Sequence, residues 1–353
     1  MKTLAKHIVL VHPHGEGSTY YVTQKLWQGL VREGYRANII SYGSWLVPRL
    51  ILRDVENLRA LRKNDAIIYT GSVVFISPYF INKPRFLFVH GYNLSDFLYG
   101  RKELFSKLLG ASYLASYILA KEVNIIDKYI CHSITSCEYN KIEHDKRILL
   151  PQFVFRDEII EYQRYRKHTY IRNNARRTHR VITYISSAYN SHRLLRPLHI
   201  AYILRQVVKQ LNNCIELIIV TPQYNFSLKS SCLFVRTLKP MKREPFLKLL
   251  ASSDLYIERN LDEELGLVTL EAGLVGTPVA KITLPNYVDR QDYTEDEILL
   301  GTSIRDLVDS LVNYFKNIDE TRNEYAKKLS NFILTKREWN NVKQELVKEI
   351  NKA

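Results

Sequence analysis

Residues 263–279 read EELGLVTLEAGLVGTPV, and this stretch predicts a loop, a short apolar helix and a turn into a buried strand. Gly266 stands where the loop meets the helix, and a residue without a Cβ allows another group to approach the backbone closely there. Gly276 and Pro278 are typical of a helix end followed by a turn. The apolar run that begins at Val279 is predicted to be the next strand.

The same stretch carries two carboxylates, Glu263 and Glu271. The N–H groups at the helix start, near Gly266 to Val268, have no partner within the helix, and with the helix dipole they favour a phosphate. Glu271 lies about one turn further along, where a carboxylate can accept two hydrogen bonds from the hydroxyls of a ribose. Glu263, in the loop, is placed to meet hydroxyl groups beyond the phosphates.

Around this stretch, short apolar runs alternate with segments of helical periodicity along most of the chain. This alternation predicts βαβ units and a largely parallel sheet, and a polar, basic stretch near residues 155–180 interrupts it. We therefore expect two α/β halves whose ligands bind at the carboxyl ends of the strands. The runs predicted to be strands are Ile8–Val11, Ala37–Ile40, Ala66–Tyr69, Arg85–Val89, Lys128–Cys131, Arg147–Leu150, Val181–Ile185, Ile215–Val220, Leu233–Val235, Leu255–Ile257 and Val279–Ile282.

The stretch 263–279 resembles the signature of the GT4 family of retaining glycosyltransferases, whose approximate pattern is E-G-F-G-L-V-x-L-E-A-x-A-x-G-x-P-V. This sequence departs from the pattern at Glu264 and Leu265, where the family has Gly-Phe, and in the variable middle at 273–275. The resemblance implies an α/β protein of the GT-B fold, with two Rossmann-like, doubly wound domains facing each other across a cleft. The positions that match without a gap are Glu263, Gly266, Leu267, Val268, Leu270, Glu271, Ala272, Gly276, Pro278 and Val279.

The resemblance also assigns roles to residues of this stretch. It implies that Glu271 holds the ribose hydroxyls of a nucleotide-sugar donor, and that Glu263 contacts the donor sugar as a catalytic residue. The backbone at Gly266 and Leu267 is expected near the diphosphate. The family needs neither a metal nor a cofactor, and the donor is expected to be UDP- or GDP-linked.

The diphosphate of the donor should also meet basic side chains. The family places an Arg and a Lys there, after the first strand of the C-terminal domain. In this sequence Arg193 is the best candidate for the Lys, with Arg196 close to it. Ser187 stands where the Arg is expected, so the chain departs from the family at this point.

The N-terminal half is consistent with the same family through weaker motifs. Gly15 and Gly17 follow the first predicted strand, and the resemblance places this Gly-rich loop against the donor phosphates and the transferred sugar. His90 follows another predicted strand, and by the same resemblance it is a catalytic residue that meets a sugar hydroxyl or manages charge. His12 and His14 lack the Cys or carboxylate neighbours of a metal site, so no metal site is expected.

The domain boundaries follow from the alternation of strands and helices. The sequence predicts an N-terminal, acceptor-side domain over 1–155, joined by a C-terminal helix over 336–353 that returns to it. A basic connecting segment is expected over 156–180. The C-terminal, nucleotide-sugar-binding domain is expected over 181–335.

Composition limits the compartment and the partners of this 353-residue chain. Four cysteines without a CxxC spacing argue for a reducing compartment and against structural zinc. The apolar run after the N-terminus is too short for a signal peptide, and Leu108–Ala120 is too short to span a bilayer. We expect a cytoplasmic protein, with a peripheral position at the inner membrane face as a hypothesis.

The formal charge of +15 implies an anionic partner. The main prediction is transfer of a hexose from a nucleotide diphosphate sugar to an acceptor hydroxyl on a glycan, a lipid-linked molecule or a protein. The basic, tyrosine-containing run 161–180 fits an anionic membrane surface, single-stranded nucleic acid or a solvated connection. Nucleic acid is not the expected partner, but a basic nucleic-acid-binding protein stays open as an alternative. An inverting transferase and a nucleotide-sugar epimerase stay open as other enzymes of this fold.

Overall fold

The computed structural model describes residues 6–13, 18–42, 61–70, 83–89, 126–168, 178–185, 194–211, 213–222 and 225–352. The chain divides into two compact units, each built around a mainly parallel sheet. The first unit comprises Met1–Leu150 with Lys343–Ala353, and the second comprises Pro151–Val342.

The sheet of the first unit has six described strands, all in parallel pairs. They are β1 (His7–Pro13), β2 (Arg36–Tyr42), β3 (Ala66–Thr70), β4 (Arg85–Val89), β5 (Lys128–Cys131) and β6 (Arg147–Leu149). Their order across the sheet is β2-β1-β3-β4-β5-β6. The helices described in this unit are α1 (Ser18–Arg32), α2 (Ile134–Tyr139) and α10 (Gln344–Lys352), with a 3₁₀ turn at His144–Lys146. Strand β3 is buried at every position, as the continuous apolar runs of a two-sided parallel sheet require.

The sheet of the second unit has seven strands in the described residues, six of them in parallel pairs. They are β7 (Thr178–Tyr184), β8 (Cys214–Val220), β9 (Ser227–Ser230), β10 (Leu233–Leu238), β11 (Leu255–Ile257), β12 (Val279–Ile282) and β13 (Leu299–Gly301). The order is β13-β12-β11-β7-β8-β10-β9, and only the edge strand β9 pairs antiparallel, with β10.

Helices cover both faces of this second sheet. They are α3 (Arg156–His168), α4 (Pro197–Val208), α5 (Arg243–Ala251), α6 (Leu267–Val275), α7 (Ile304–Lys316), α8 (Ile318–Phe332) and α9 (Trp339–Val342), with a 3₁₀ turn at Pro285–Arg290 and a π-helical turn at Ile333–Arg337. Val181 packs into one core with α4 and α7, whereas Ile182 packs into the other with α3, α5, α6 and α8. Neighbouring strand residues point to opposite faces, so the two cores define a doubly wound domain.

The predicted strands all appear, but two short strands were missed. Strand β9, with the sequence SLKS, lacks an apolar run because it is an exposed edge strand. Strand β13 has only three residues, too few for a period to show. A segment of helical periodicity around Asp54–Leu61 lies almost wholly outside the described residues.

The basic segment 156–180 differs from the expected connection. Residues 156–168 form helix α3, and its Ile159 and Tyr162 are buried in the core with α5 and α6. Strand β7 already begins at Thr178. The high charge of the segment hid the two apolar positions, one turn apart, that attach α3 to the second unit.

The C-terminal region also differs from a single returning helix. Trp339 is buried against Phe153, with ring centroids 4.8 Å apart, so residues through Val342 stay with the second unit. Helix α10 joins the first unit, where Glu345 accepts a hydrogen bond from the backbone N–H of Leu149. The expected boundary at residue 336 therefore falls at residue 343 in the structure.

The four cysteines are paired, in contrast to the expectation of reduced thiols. Cys131 and Cys137 form one disulfide, with Cα atoms 5.7 Å apart, and Cys214 and Cys232 form another, with Cα atoms 4.3 Å apart. Strands β8 and β10 are neighbours, which brings the second pair together, and sequence spacing does not reveal such a proximity.

In the part of the chain that the structure describes, no helix is both long and apolar enough to cross a bilayer. The apolar segment Leu108–Ala120 lies outside that part.

Candidate functional site

The stretch 263–279 folds as predicted, into a loop, helix α6 and a turn. Gly266 is the N-cap of α6, with φ −69° and ψ 160°. Gly276 ends the helix at φ 86°, a left-handed conformation that glycine adopts without steric cost. Strand β12 follows at Val279. The loop 258–266 therefore lies at the carboxyl end of β11, where doubly wound domains bind their ligands.

Glu271 is a buried carboxylate with a basic partner. Its side chain is only 5% exposed, and its Oε1 lies 2.7 Å from Nη2 of Arg243, the first residue of α5. The same nitrogen of Arg243 donates to the hydroxyl of Tyr162 on α3. Three helices thus position this carboxylate, and the pair satisfies a charge that burial alone would make costly.

The negative charge of Glu271 contributes to the raised pKa values of two nearby tyrosines. Burial raises the pKa of Tyr184, and the carboxylate of Glu271 raises it further. Burial is also the main cause that raises the pKa of Tyr162, which Arg243 lowers in part. Both phenols are therefore hydrogen-bonding hydroxyls at neutral pH rather than phenolates.

A second buried carboxylate, Glu258, organises the start of α6. Its Oε1 accepts hydrogen bonds from the backbone N–H groups of Arg259, at 2.7 Å, and Asn260, at 3.1 Å. Its Oε2 accepts from the N–H of Gly266, at 3.2 Å, and from the hydroxyl of Thr269. A Cβ at Gly266 would come 2.9 Å from Oε2 of Glu258. Glycine is needed here because the carboxylate lies against the backbone.

This arrangement changes which N–H groups a ligand can use. The predicted donor at Gly266 already binds Glu258. The next two N–H groups, of Leu267 and Val268, have no hydrogen-bond acceptor among the described residues. They begin a nine-residue helix, so the helix dipole adds to their attraction for an anion.

Lys281 of β12 anchors the loop that carries Glu263. Lys281 is fully buried, and its Nζ donates to the carbonyl oxygens of Asn260, at 2.5 Å, and Glu264, at 3.0 Å. Glu263 lies between these anchor points and is 6% exposed. The loop is therefore held at two backbone positions around the predicted catalytic residue.

The charges in this loop influence each other. Burial raises the pKa of Glu264 to about 8, and the negative charges of Asp262 and Glu263 add to the effect. Burial lowers the pKa of Lys281, while the surrounding carboxylates oppose that shift. One cation and several carboxylates thus share a small volume at the carboxyl end of β11.

Arg196 lies at the start of α4, and the backbone fixes that start beside the loop. The N–H of Leu195 donates to the carbonyl of Arg259 at 2.8 Å, and Nε of Arg259 donates back to the carbonyl of Leu195 at 2.8 Å. Arg196 itself is the N-cap residue of α4 and is exposed. Arg193 and Ser187 lie outside the described residues.

Most of the site residues predicted in the first unit are not among the residues that the structure describes. Gly15, Gly17, His14 and His90 all lie outside the described residues. His12 is buried, with Nδ1 3.1 Å from the hydroxyl of Thr23. No group of three or more His, Cys, Asp or Glu side chains that could hold a metal occurs among the residues that the structure describes.

Sequence reasoning missed His132, which follows β5. It is buried, and its Nδ1–H donates to the carbonyl of Leu150 at 3.1 Å. Burial lowers its pKa to about 4, so the imidazole is neutral at physiological pH. The signal available in the sequence was a histidine directly after a buried strand, the same signal that singled out His90.

Glu258, Lys281 and Arg243 were also missed. A lysine inside the apolar strand Val279–Ile282 was a visible anomaly, because buried lysines are rare unless they have partners. Glu258 directly follows β11, where side chains at the carboxyl end are functional candidates. Arg243 carried no local signal, since α5 comes close to Glu271 only in the folded unit.

Solved structures share this architecture over nearly the whole chain. A glycosyltransferase from Rickettsia africae has a TM-score of 0.63 at 12% identity, covering 99% of this chain and 98% of that one. Anabaena HepE in complex with UDP-glucose has a TM-score of 0.64 at 12% identity, covering 99% and 100%. WaaG, a glycosyltransferase involved in lipopolysaccharide biosynthesis, has a TM-score of 0.61 at 11% identity, covering 98% and 99%. The chain has the GT-B fold.

The fold predicted from residues 263–279 is thereby confirmed. No family model matches the chain, and no curated protein matches its sequence. At 11–12% identity, the likeness shows the fold alone. Membership of the GT4 family, the retaining mechanism and the substrates stay predictions.

Proposed function

We propose that this protein is a metal-independent, retaining glycosyltransferase of the GT4 type, which moves a hexose from a nucleotide diphosphate sugar to an acceptor hydroxyl. The observation that carries the proposal is the environment of α6. A buried carboxylate, Glu271, lies one turn beyond the N–H groups of Leu267 and Val268, which have no acceptor among the described residues. A ribose diphosphate presents two hydroxyls and an anionic group at that spacing.

The donor would bind along α6 in one direction. Glu271 accepts the two ribose hydroxyls, and charge-assisted hydrogen bonds of this kind are stronger than neutral ones. The diphosphate lies at the start of the helix, against the N–H groups of Leu267 and Val268 and the basic side chain of Arg196. These groups stabilise the negative charge that develops on the leaving diphosphate as the glycosidic bond breaks.

We assign Glu263 to the sugar rather than to the nucleotide. Lys281 anchors the backbone on both sides of it, so its carboxylate has a fixed position relative to α6. It accepts hydroxyl hydrogen bonds of the hexose and orients the anomeric carbon. His90, Gly15 and Gly17 lie outside the described residues, so their predicted roles toward the sugar and the phosphates stay predictions.

Arg243 gives the donor site a property that the sequence did not suggest. Its guanidinium neutralises Glu271 before a donor is present. Because a carboxylate oxygen accepts more than one hydrogen bond, ribose can bind while the pair persists. The pair would then hold the carboxylate in the orientation that the diol requires.

The donor-binding half of this proposal is tested with nucleotides alone. UDP is the first probe, because HepE, a structural neighbour, binds UDP-glucose, and GDP, ADP and TDP follow. Titration calorimetry of Glu271→Gln should show affinity for the preferred nucleotide reduced about 10- to 100-fold, the loss of charge-assisted hydrogen bonds. Glu320→Gln, an exposed change on α8, is the matched control and should bind normally. Unchanged affinity in Glu271→Gln would remove the site assignment.

The transfer half needs the sugar nucleotide and product analysis. Glu263→Gln should bind the nucleotide normally yet lose most turnover, because only the sugar contact is affected. NMR of the product assigns the anomeric configuration, and retention is expected. Inversion would indicate an inverting transferase, and release of an isomerised sugar nucleotide without acceptor would indicate an epimerase.

A further inference from the structure

The net charge of the chain is concentrated in one stretch. Residues 162–243 contain sixteen Lys or Arg and a single acidic residue, Glu216. This excess equals the +15 of the whole chain, so the remaining residues are balanced in charge. Such segregation is more than a diphosphate donor requires.

The single acid of this stretch is itself neutralised. Nε of Arg180 donates to Glu216 at 3.0 Å, and Nε of Arg236 donates to it at 2.8 Å. Both arginines lie on strands next to β8, so the two ion pairs belong to the sheet. Arg243, the last cation of the stretch, pairs with Glu271, which lies outside it.

The stretch comprises most of α3, the strands β7, β8, β9 and β10, and helix α4, which packs on the sheet face opposite to α3. Helix α4 and strand β9 contain no acidic residue. Arg205 and Lys209 are exposed one turn apart near the end of α4. Cations at a helix C-terminus are also favoured by the helix dipole.

Large apolar side chains are exposed on the same elements. Leu198 is 78% exposed and Tyr202 is 53% exposed, one turn apart on α4 and in line with Arg205. Leu228 of β9 is 56% exposed and lies opposite Val235, which packs in the same core as α4. Leu228 thus lies on the α4 side of the sheet.

We propose that this α4–β9 surface, defined by Leu198, Tyr202, Arg205, Lys209 and Leu228, binds an anionic lipid bilayer. Basic side chains attract anionic headgroups, and exposed leucine and tyrosine side chains enter the interface between headgroups and acyl chains. Aliphatic side chains exposed to this degree have no role in binding a phosphate backbone. A bilayer therefore accounts for both halves of the surface, whereas a nucleic acid accounts only for its charge.

The test is co-sedimentation of the full chain with vesicles of phosphatidylcholine alone or with about one third phosphatidylglycerol. Binding is expected only to the anionic vesicles, and it should weaken as salt rises. Two double variants probe the surface. Arg205→Glu with Lys209→Glu removes its basic side chains, and Leu198→Ser with Tyr202→Ser removes apolar ones. Each should reduce the bound fraction at least about fivefold, since each removes one of the two attractions.

Matched controls lie outside the α4–β9 surface, on α8 and on the π-helical turn that follows it. Lys327→Glu with Lys336→Glu makes the same change of charge at exposed positions, and Leu334→Ser removes an exposed apolar side chain. These controls should bind vesicles like the wild type. Affinity for UDP should be unchanged in every variant, which separates failure of this surface from failure of the donor site.

Three results would overturn the proposal. One is absence of binding to anionic vesicles at low salt, and another is equal loss of binding in the control variants. The third is evidence that the surface serves another partner. In that case the protein would not bind vesicles, and the surface variants alone would lose binding to a single-stranded oligonucleotide or lose a dimer that the wild type forms. Nuclease-treated protein is used throughout.

Discussion

Nη2 of Arg243 lies 2.7 Å from Oε1 of Glu271. The side chain of Arg243 is 39% exposed and that of Glu271 is 5% exposed, so only the arginine reaches solvent. The contact matters more to the carboxylate, because a buried charge is costly unless it is paired. The guanidinium has an alternative, since it can be solvated. The two residues should therefore respond unequally to substitution.

A double-mutant cycle tests this relationship. Arg243→Ala should lower stability by about 1–2 kcal/mol, mainly by removing one ion pair from the buried carboxylate of Glu271, and should also weaken nucleotide binding. Glu271→Gln alone should cost less stability, because the freed guanidinium is partly exposed. The combined variant should be more stable than additivity predicts, by about 1 kcal/mol in urea unfolding. If the losses of unfolding free energy in the two single variants simply add up in the double variant, the pair contributes nothing to stability.

The contact between Gly266 and Glu258 gives a second prediction. Gly266→Ala places a Cβ 2.9 Å from a carboxylate oxygen that several hydrogen bonds hold in place. The expected cost is about 1–3 kcal/mol in urea unfolding, as for other overpacked sites. Nucleotide binding should also weaken, because the N–H groups of Leu267 and Val268 shift.

The steric origin of that cost can be checked in a Glu258→Asp background. The shorter carboxylate leaves space, so Gly266→Ala should cost clearly less there than in the wild type. The same cost in both backgrounds would assign the effect to the backbone rather than to the contact.

Much of α6 and its sheet could be predicted, because the signals are local. Gly266, Gly276 and Pro278 mark the ends of the helix, and continuous apolar runs mark buried parallel strands. Helix α3 could not be predicted in the same way, since only Ile159 and Tyr162 attach it and charged residues surround them.

The site was less predictable than the fold. Glu263 and Glu271 were predicted as site residues because they belong to a recognisable spacing, and their roles stay predictions. Glu258 holds Gly266, eight residues further along the chain, and Arg243 pairs with Glu271 on another helix, so these roles appear only after folding. The sequence suggested which groups face a ligand, a prediction that stays open, but not which groups hold them in place.

Lys281 offers a prediction about such a holding residue. Lys281→Met keeps the length of the side chain but removes the donor to the carbonyls of Asn260 and Glu264. Stability should fall by about 2 kcal/mol, the cost of leaving buried polar groups unsatisfied. Transfer should decrease much more than nucleotide affinity, because the loop with Glu263 is released while α6 is not.

Lys327→Met, at an exposed position on α8, is the control for the loss of one charge. It should match the wild type in both urea unfolding and transfer. A Lys281→Met variant with normal stability and turnover would show that the loop is held by other contacts.

His132 yields the last prediction, which concerns pH. Burial lowers its pKa from 6.5 to about 4 in the folded protein. The unfolded chain therefore takes up a proton below pH of about 6.5 that the folded chain does not take up until about pH 4. Stability from this residue is complete above pH 6.5 and is lost as the pH falls toward 4, by up to about 3 kcal/mol.

His132→Asn keeps a donor for the carbonyl of Leu150 but cannot titrate. Urea unfolding at pH 7, 5.5 and 4 should thus show a smaller acid-induced loss in His132→Asn than in the wild type, while the exposed His144→Asn changes nothing. Parallel pH profiles for wild type and His132→Asn would mean that the folded protein accepts a proton at this imidazole as easily as the unfolded chain does.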